Sequence, residues 1–276
     1  MKTSLKLLVI AAFVGITFYA CKKTADPITD SDIATATDNT VAQKGTQDAG
    51  ATAQEALSGS LSGRYMKDTS VTITIDTTAT PHTMSITYKG IPNLKGILRK
   101  GKMLVNFDKH YRIPGSVWNI TFVDYAYNNN QINGTIKITN NNGVYEISST
   151  NLNVALENKS LIAFTSFNVG LTYYDEGGNP TPISESKNSL YVWGLIKGTD
   201  TPPGKPTVTY KDSIPKTEFL IYNQSCMDGT KPKPHFTKGT VYYSEGTKEA
   251  VINFGTGNCA DKAKIKSGGI EKDFVY

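Results

Sequence analysis

The covalent chemistry available to this chain rests on three cysteines, Cys21, Cys226 and Cys259. Cys21 closes a run of fourteen uncharged residues, Leu7 to Ala20, that follows Lys2 and Lys6. A basic start, a short apolar stretch and a small residue before the break describe a secretory leader, whereas a membrane span needs about 20 apolar residues. The thiol of Cys21 is therefore either an ordinary one just past a cleavage point or the acceptor of a lipid. Parity favours the lipid. In a compartment where thiols oxidise, an odd cysteine needs its own explanation, and acylation of Cys21 leaves the even pair Cys226 and Cys259. These two are expected to form a disulfide.

The tetrapeptide Phe18-Tyr19-Ala20-Cys21 resembles a bacterial lipobox, with Phe18 where leucine is usual. The resemblance implies residues 1–20 as a lipoprotein signal peptide, cleavage before Cys21, and several acyl chains on that cysteine. Two or more chains give stable anchoring. The expected address is the outer membrane, with the body on its periplasmic or cell-surface face.

Other catalytic patterns fail in turn. His82, His110 and His235 are far apart, sit beside turns and form no H-x-x-x-H or H-E-x-x-H pattern, so they are expected to be solvated. Ser184-x-x-Lys187 and Ser213-x-x-Lys216 match the shortest piece of a serine-lysine signature but lack its other motifs. Asp108, Asp124, Asp175 and Glu176 supply carboxylates, yet nothing places two of them at the separation glycoside hydrolysis requires. Asp212, Asp228 and Asp261 read as loop acids. No enzyme, no cofactor and no metal site is expected.

Aromatic residues are the remaining lead: fifteen tyrosines, ten phenylalanines and two tryptophans suffice for a sugar-stacking platform. Trp118 shares a face with Ile120 and Phe122 and belongs to the core. Trp193 lies in a segment, Leu190 to Ile196, that is apolar on both faces, so Tyr191 and Trp193 are the candidate ligand-binding residues. Burial on both faces is the favoured expectation for such a strand. Gly194 in mid-strand admits a ligand or another backbone.

The elements that must position these residues are strands. From Arg64 onward apolar residues recur at every second position, as in Val71, Ile73 and Ile75, or Leu161 through Tyr173, which marks half-buried strands. Similar segments read at 83–89, 96–107, 117–127, 131–139, 144–156, 189–197, 206–211, 217–222, 235–244, 248–254 and 262–267. Asn140 to Gly143, Asn128 to Asn130, Gly177 to Pro180 and Pro202 to Gly204 punctuate them with turn chemistry. Residues 63–276 are thus expected to form an all-β body, either an antiparallel β-sandwich or a large curled antiparallel sheet, with a candidate internal boundary near 199–206. No helical window of useful length is expected after residue 62. Residues 21–62, poor in aromatics and rich in Thr, Ala, Asp, Gln, Gly and Ser, read as a flexible tether with a reach of roughly 35 Å. The formal net charge is +5, and losing Lys2 and Lys6 with the leader leaves +3. The basic residues are scattered, so no nucleic-acid partner is expected.

Several pieces together resemble a group of uncharacterised lipoproteins of Bacteroidetes-type Gram-negative bacteria. They are the Arg99-Lys100-Gly101-Lys102 run, Pro114-Gly115-Ser116 before Ile120 to Tyr125, Ile132-Asn133-Gly134-Thr135, and Ile252 to Cys259 followed by Lys262 to Ile265. The chain departs from that group in placing Ala260 between Cys259 and Asp261. The resemblance implies an all-β envelope lipoprotein and no particular activity. A fainter echo joins Lys100-Gly101 to Lys238-Gly239, each read as a turn leading into a strand. The function expected from all this is a membrane-anchored lipoprotein carrying a non-catalytic binding or structural β module, with a glycan or an envelope protein as partner. An accessory carbohydrate-binding lipoprotein of a glycan-uptake system is the second reading and a glycosidase the third.

Overall fold

The computed structural model describes residues 29–62, 70–93, 96–175, 179–181, 189–223, 226–228, 231–232, 235–259 and 262–276. The leader, Cys21, Glu176, Ser184, Lys187, Ala260 and Asp261 lie outside them.

Period-two segments become strands almost where the alternation places them. In chain order these are β1 (Val71–Asp76), β2 (His82–Pro92), β3 (Leu98–Phe107), β4 (Val117–Tyr127), β5 (Asn130–Asn141), β6 (Val144–Ala155), β7 (Leu161–Tyr174), β8 (Pro180–Thr181), β9 (Ser189–Thr201), β10 (Val208–Ile214), β11 (Leu220–Asn223), β12 (Met227–Asp228), β13 (Lys231–Pro232), β14 (His235–Glu245), β15 (Lys248–Thr256), β16 (Lys262–Ser267) and β17 (Ile270–Val275). All but β12 and β13 belong to one antiparallel sheet of fifteen strands, running β1 to β7, then β9, β10 and β14 to β17. Short connections between sequence neighbours favour such a meander. The fold is all-β. Of the two expected forms the large curled sheet is the one present. Residues 202–207 merely join β9 to β10, which pair along Val208–Ile214, so they divide nothing.

The sheet curls because its strands are bulged in a row. Register shifts fall at Lys89/Pro92, Lys100/Lys102, Phe122/Tyr125, Asn133/Thr135 and Phe164/Ser166, in the pairings of β2 with β3, β3 with β4, β4 with β5, β5 with β6 and β7 with β9. Each bulge adds a residue on one strand and sharpens its bend and twist, so a line of them makes a corner along the sheet. The Lys100-Gly101 and Lys238-Gly239 echo belongs to this device. Both glycines have positive φ, 80° and 111°, inside β3 and β14 rather than in turns before them, and register shifts flank both.

What the sheet curls around corrects the tether. Asp30–Ser62 is a single α-helix, α1, 33 residues long. Thr29 caps it: the Asp32 amide donates to Thr29 Oγ1 at 3.3 Å, while Asp32 Oδ2 accepts from the Thr29 amide at 2.7 Å. This is the reciprocal arrangement of a capping box. Ala36, Ala42, Ala49, Ala53 and Ala56 are buried, and so are Asn39, Gln43, Gln47 and Gln54, so the middle of the helix is enclosed, while Ser31 and Ala34 in its first turns are exposed. Groups from β3, β5, β7, β10, β15 and β17 reach it. Its small residues permit this. A Cβ on Gly45 would stand 3.2 Å from Ile132 Cδ1 and one on Gly50 3.4 Å from Ile138 Cδ1.

The interior between sheet and helix is mixed in character. Met84, Ile86, Met103, Trp118, Ile120, Ile136, Phe167, Val192 and Phe236 supply an apolar core. Several polar groups of α1 are met by the surrounding chain, though both polar atoms of the buried Gln47 side chain have no hydrogen-bond partner among the described residues. Arg99 on β3 grips Asp48 through Nε at 3.0 Å and Nη2 at 2.8 Å, Asp212 on β10 accepts from Asn39 and Gln43, Asn158 donates to Asp38 at 2.8 Å, and Tyr173 donates to Gln54. Buried polar groups require such partners, and here they come from strands far apart in sequence.

Candidate ligand-binding groove

Tyr191 and Trp193 stand on the outer face of β9, because Leu190 and Val192 alternate with them inward to full burial. Both are half-buried. The expectation that Trp193 is covered on both sides of the sheet is therefore corrected: the inner face of β9 meets the core, and the outer face carries an aromatic patch. Trp193 lies flat on the strand beside it, where Gly170 leaves room, since a Cβ there would approach the indole to 2.6 Å. Gly194 is approached by backbone: the Asn168 carbonyl of β7 fills the space a side chain would need.

Register brings other aromatics to the patch. Tyr174 at the end of β7 stacks on Tyr191 with ring centroids 3.9 Å apart, and Phe219 also stacks on Tyr191, at 4.4 Å. Lys216, in the turn between β10 and β11, holds its ammonium 5.1 Å above the Trp193 ring. Two clefts open here. One, of about 630 Å³, is lined by Tyr174, Tyr191, Trp193 and Phe219 with Arg112, Lys216 and Asn142. Its neighbour, of about 620 Å³, is lined by Trp193, Lys216, Lys137, Glu146, Asn141 and Asn168. Val144, Trp193 and Lys216 line both, so the two form one groove across the outer faces of β5, β6, β7 and β9.

The remaining candidates fall elsewhere. Cys226 and Cys259 form the expected disulfide, which ties the chain before β12 to the chain after β15. Asp108 and Asp175 accept from backbone amides of Val117 and Asn179 and organise loops. Asp124 is a bulge residue with φ of 49°. Asp212 is not a loop acid: it lies inside the sheet, and burial pushes its pKa up to about 7 against the pull of the Asn39 and Gln43 hydrogen bonds. Asp200, also buried, is pushed up to about 6, first by burial and then by the Asp38 carboxylate. His235 is buried beside Tyr276 rather than solvated. His82 is half-buried, its Nδ1 2.8 Å from the Ala79 carbonyl oxygen and its ring edge-on to Phe107. His110 stacks on Tyr111, and burial together with Arg112 lowers its pKa. Among the described residues no three of His, Cys, Asp and Glu come together as a metal-binding group.

Compared with protein-family models, curated proteins and solved structures, the chain has no match.

Proposed function

We propose that the protein is an exported lipoprotein, anchored to the outer membrane through Cys21, whose β body is a non-catalytic carbohydrate-binding module. The observation that carries this reading is the outward aromatic ladder Tyr174–Tyr191–Phe219 with Trp193 beside it in an open groove. Sugar rings present apolar C–H faces that stack on electron-rich aromatic faces, while their hydroxyls need polar groups at the rim. Asn141, Asn142 and Asn168 stand at that rim. Among the described residues that line the groove Glu146 is the one acid.

Polarity along α1 supports the same reading. Its first turn meets Lys272 and Lys248 at one end of the sheet, and Gln54 near its other end meets Tyr173, adjacent to the groove. A helix of this length spans about 50 Å. With Cys21 nine positions before Asp30, the anchored end is the far end, and the groove faces away from the membrane.

The test is a glycan-array screen of the mature chain carrying Cys21→Ser, run beside the same chain with Trp193→Ala. Saccharides retained by the first and lost by the second support the reading. Absence of any bound glycan, or binding indifferent to Trp193→Ala, contradicts it.

A further inference from the structure

Hydrogen-bonding character along the groove is lopsided. Among the described residues three cations line it, Arg112 at one end, Lys137 at the other and Lys216 where the two clefts meet, against the one carboxylate of Glu146. None of the three takes part in an ion pair among the described residues, whose ion pairs are Arg99–Asp48, Lys248–Asp32, Lys264–Glu271 and Lys272–Asp30. Each of the three cations is exposed. Two are supported by rings: Lys216 lies over Trp193 and the Arg112 guanidinium 5.5 Å from the Tyr111 ring centre. A cation on an aromatic face keeps its N–H donors directed outward, since the ring uses its charge and leaves most of its hydrogen bonds open.

A neutral sugar offers hydroxyls that both donate and accept, and a site for it mixes donors with acceptors. Asn141, Asn142 and Asn168 supply acceptors as well, but the three cations give the groove an excess of charged donors. The complementary ligand is rich in acceptors and negatively charged. We propose that the groove selects acidic saccharides, chains whose sugar units carry carboxylate or sulfate groups, with Lys216 pairing the anion of the unit that packs against Trp193. Arg112 and Lys137 meet charged substituents of the units before and after it. This inference rests on the carbohydrate reading above and adds the substrate class to it.

The experiment compares matched ligands. Calorimetric titration of the full mature chain carrying Cys21→Ser uses an oligogalacturonate, the same oligosaccharide with its carboxylates methyl-esterified, a sulfated galactan oligosaccharide free of uronate and its desulfated, neutral form. An acidic form should bind on the order of tenfold more tightly than its neutral counterpart, the size of one charge-assisted contact. The gap should shrink as salt is raised toward the molar range, where screening reaches about 3 Å. Lys216→Gln, in an exposed turn, should close most of the gap between the acidic and neutral forms. The galacturonate and sulfated galactan arms distinguish carboxylate from sulfate as the favoured anion. Equal binding of acidic and neutral forms, or a gap that survives Lys216→Gln, overturns the proposal while the carbohydrate reading stands. Failure of every form to bind the folded protein overturns both.

Discussion

Arg99 holds Asp48 by parallel hydrogen bonds inside the curled sheet, with its guanidinium 6.0 Å from the Tyr88 ring centre and 5.8 Å from that of Tyr127. Both partners are largely withdrawn from water, at 10% and 8% side-chain exposure, so removing one strands the other's charge. Arg99→Ala should lower stability by about 3–5 kcal/mol in denaturant unfolding, and Arg99→Leu combined with Asp48→Leu by clearly less. Equal losses in the single and double variants would mean the pair is not buried as described. Asp212 makes a second residue-scale case. Its carboxyl, at about 7 inside the protein against 3.8 when exposed, keeps its proton longer in the folded state. Folded protein then binds more protons than unfolded protein between about pH 4 and pH 7, so this group's contribution is fully present at the acid end and is lost as pH rises. Asp212→Asn, which keeps an oxygen to accept from Asn39 and Gln43, should flatten that decline and raise stability at pH 8 by on the order of 1–3 kcal/mol, given about 1.4 kcal/mol per pKa unit. Unfolding curves of the two proteins with the same pH dependence would count against the assignment.

At the scale of elements, strands were legible in the sequence and the helix was not. Alternation placed β4 and β16 at their residue limits and most other strands within a few positions, because one face of each is buried against α1 and the core. The terminal β17 was passed over: of its six residues only Phe274 is buried, too little for a visible alternation. The helix escaped for a better reason. Asp30 to Ser62 has no apolar stripe and reads as unstructured chain. Enclosure by the sheet removes the need for a stripe, since every face of the helix's middle is covered, and small residues let the strands come close. The Thr29-x-x-Asp32 cap is a local signal of a helix start that the reading of this stretch as a tether passed over. Of the groove, Tyr191 and Trp193 were visible because β9 is apolar on both faces. Tyr174, Phe219, Arg112, Lys137 and Lys216 were not, as only strand register and turn geometry gather them from separate segments. If α1 is enclosed, limited proteolysis of the folded protein should spare Asp30 to Ser62, where a free tether would be nicked first. Fragments ending within that stretch under native conditions would contradict the enclosure.

For the whole molecule, the helix changes what an anchor at Cys21 means. A tether running to residue 62 would hold the body at variable distance from the bilayer; a chain that enters the sheet at Asp30 leaves only the short span from Lys22 to Thr29, at most about 30 Å when fully extended. The body is then held close to the membrane with its groove outward. Cys21→Ser should move the protein from the membrane fraction to the soluble fraction without changing its melting temperature, and acyl mass should be found on the N-terminal peptide of the wild type. A soluble wild type lacking that mass would remove the anchor from the account.

The central claim, that saccharides stack on Trp193, is open to one direct measurement, because the chain has only two tryptophans and the other, Trp118, is 1% exposed. In a Trp118→Phe background the emission of Trp193 alone reports on the groove. Adding a saccharide identified on the array should shift that emission to shorter wavelength and protect it from acrylamide quenching, with a midpoint equal to the calorimetric Kd. Saturable binding of the same saccharide that leaves Trp193 emission and quenching unchanged would contradict the claim.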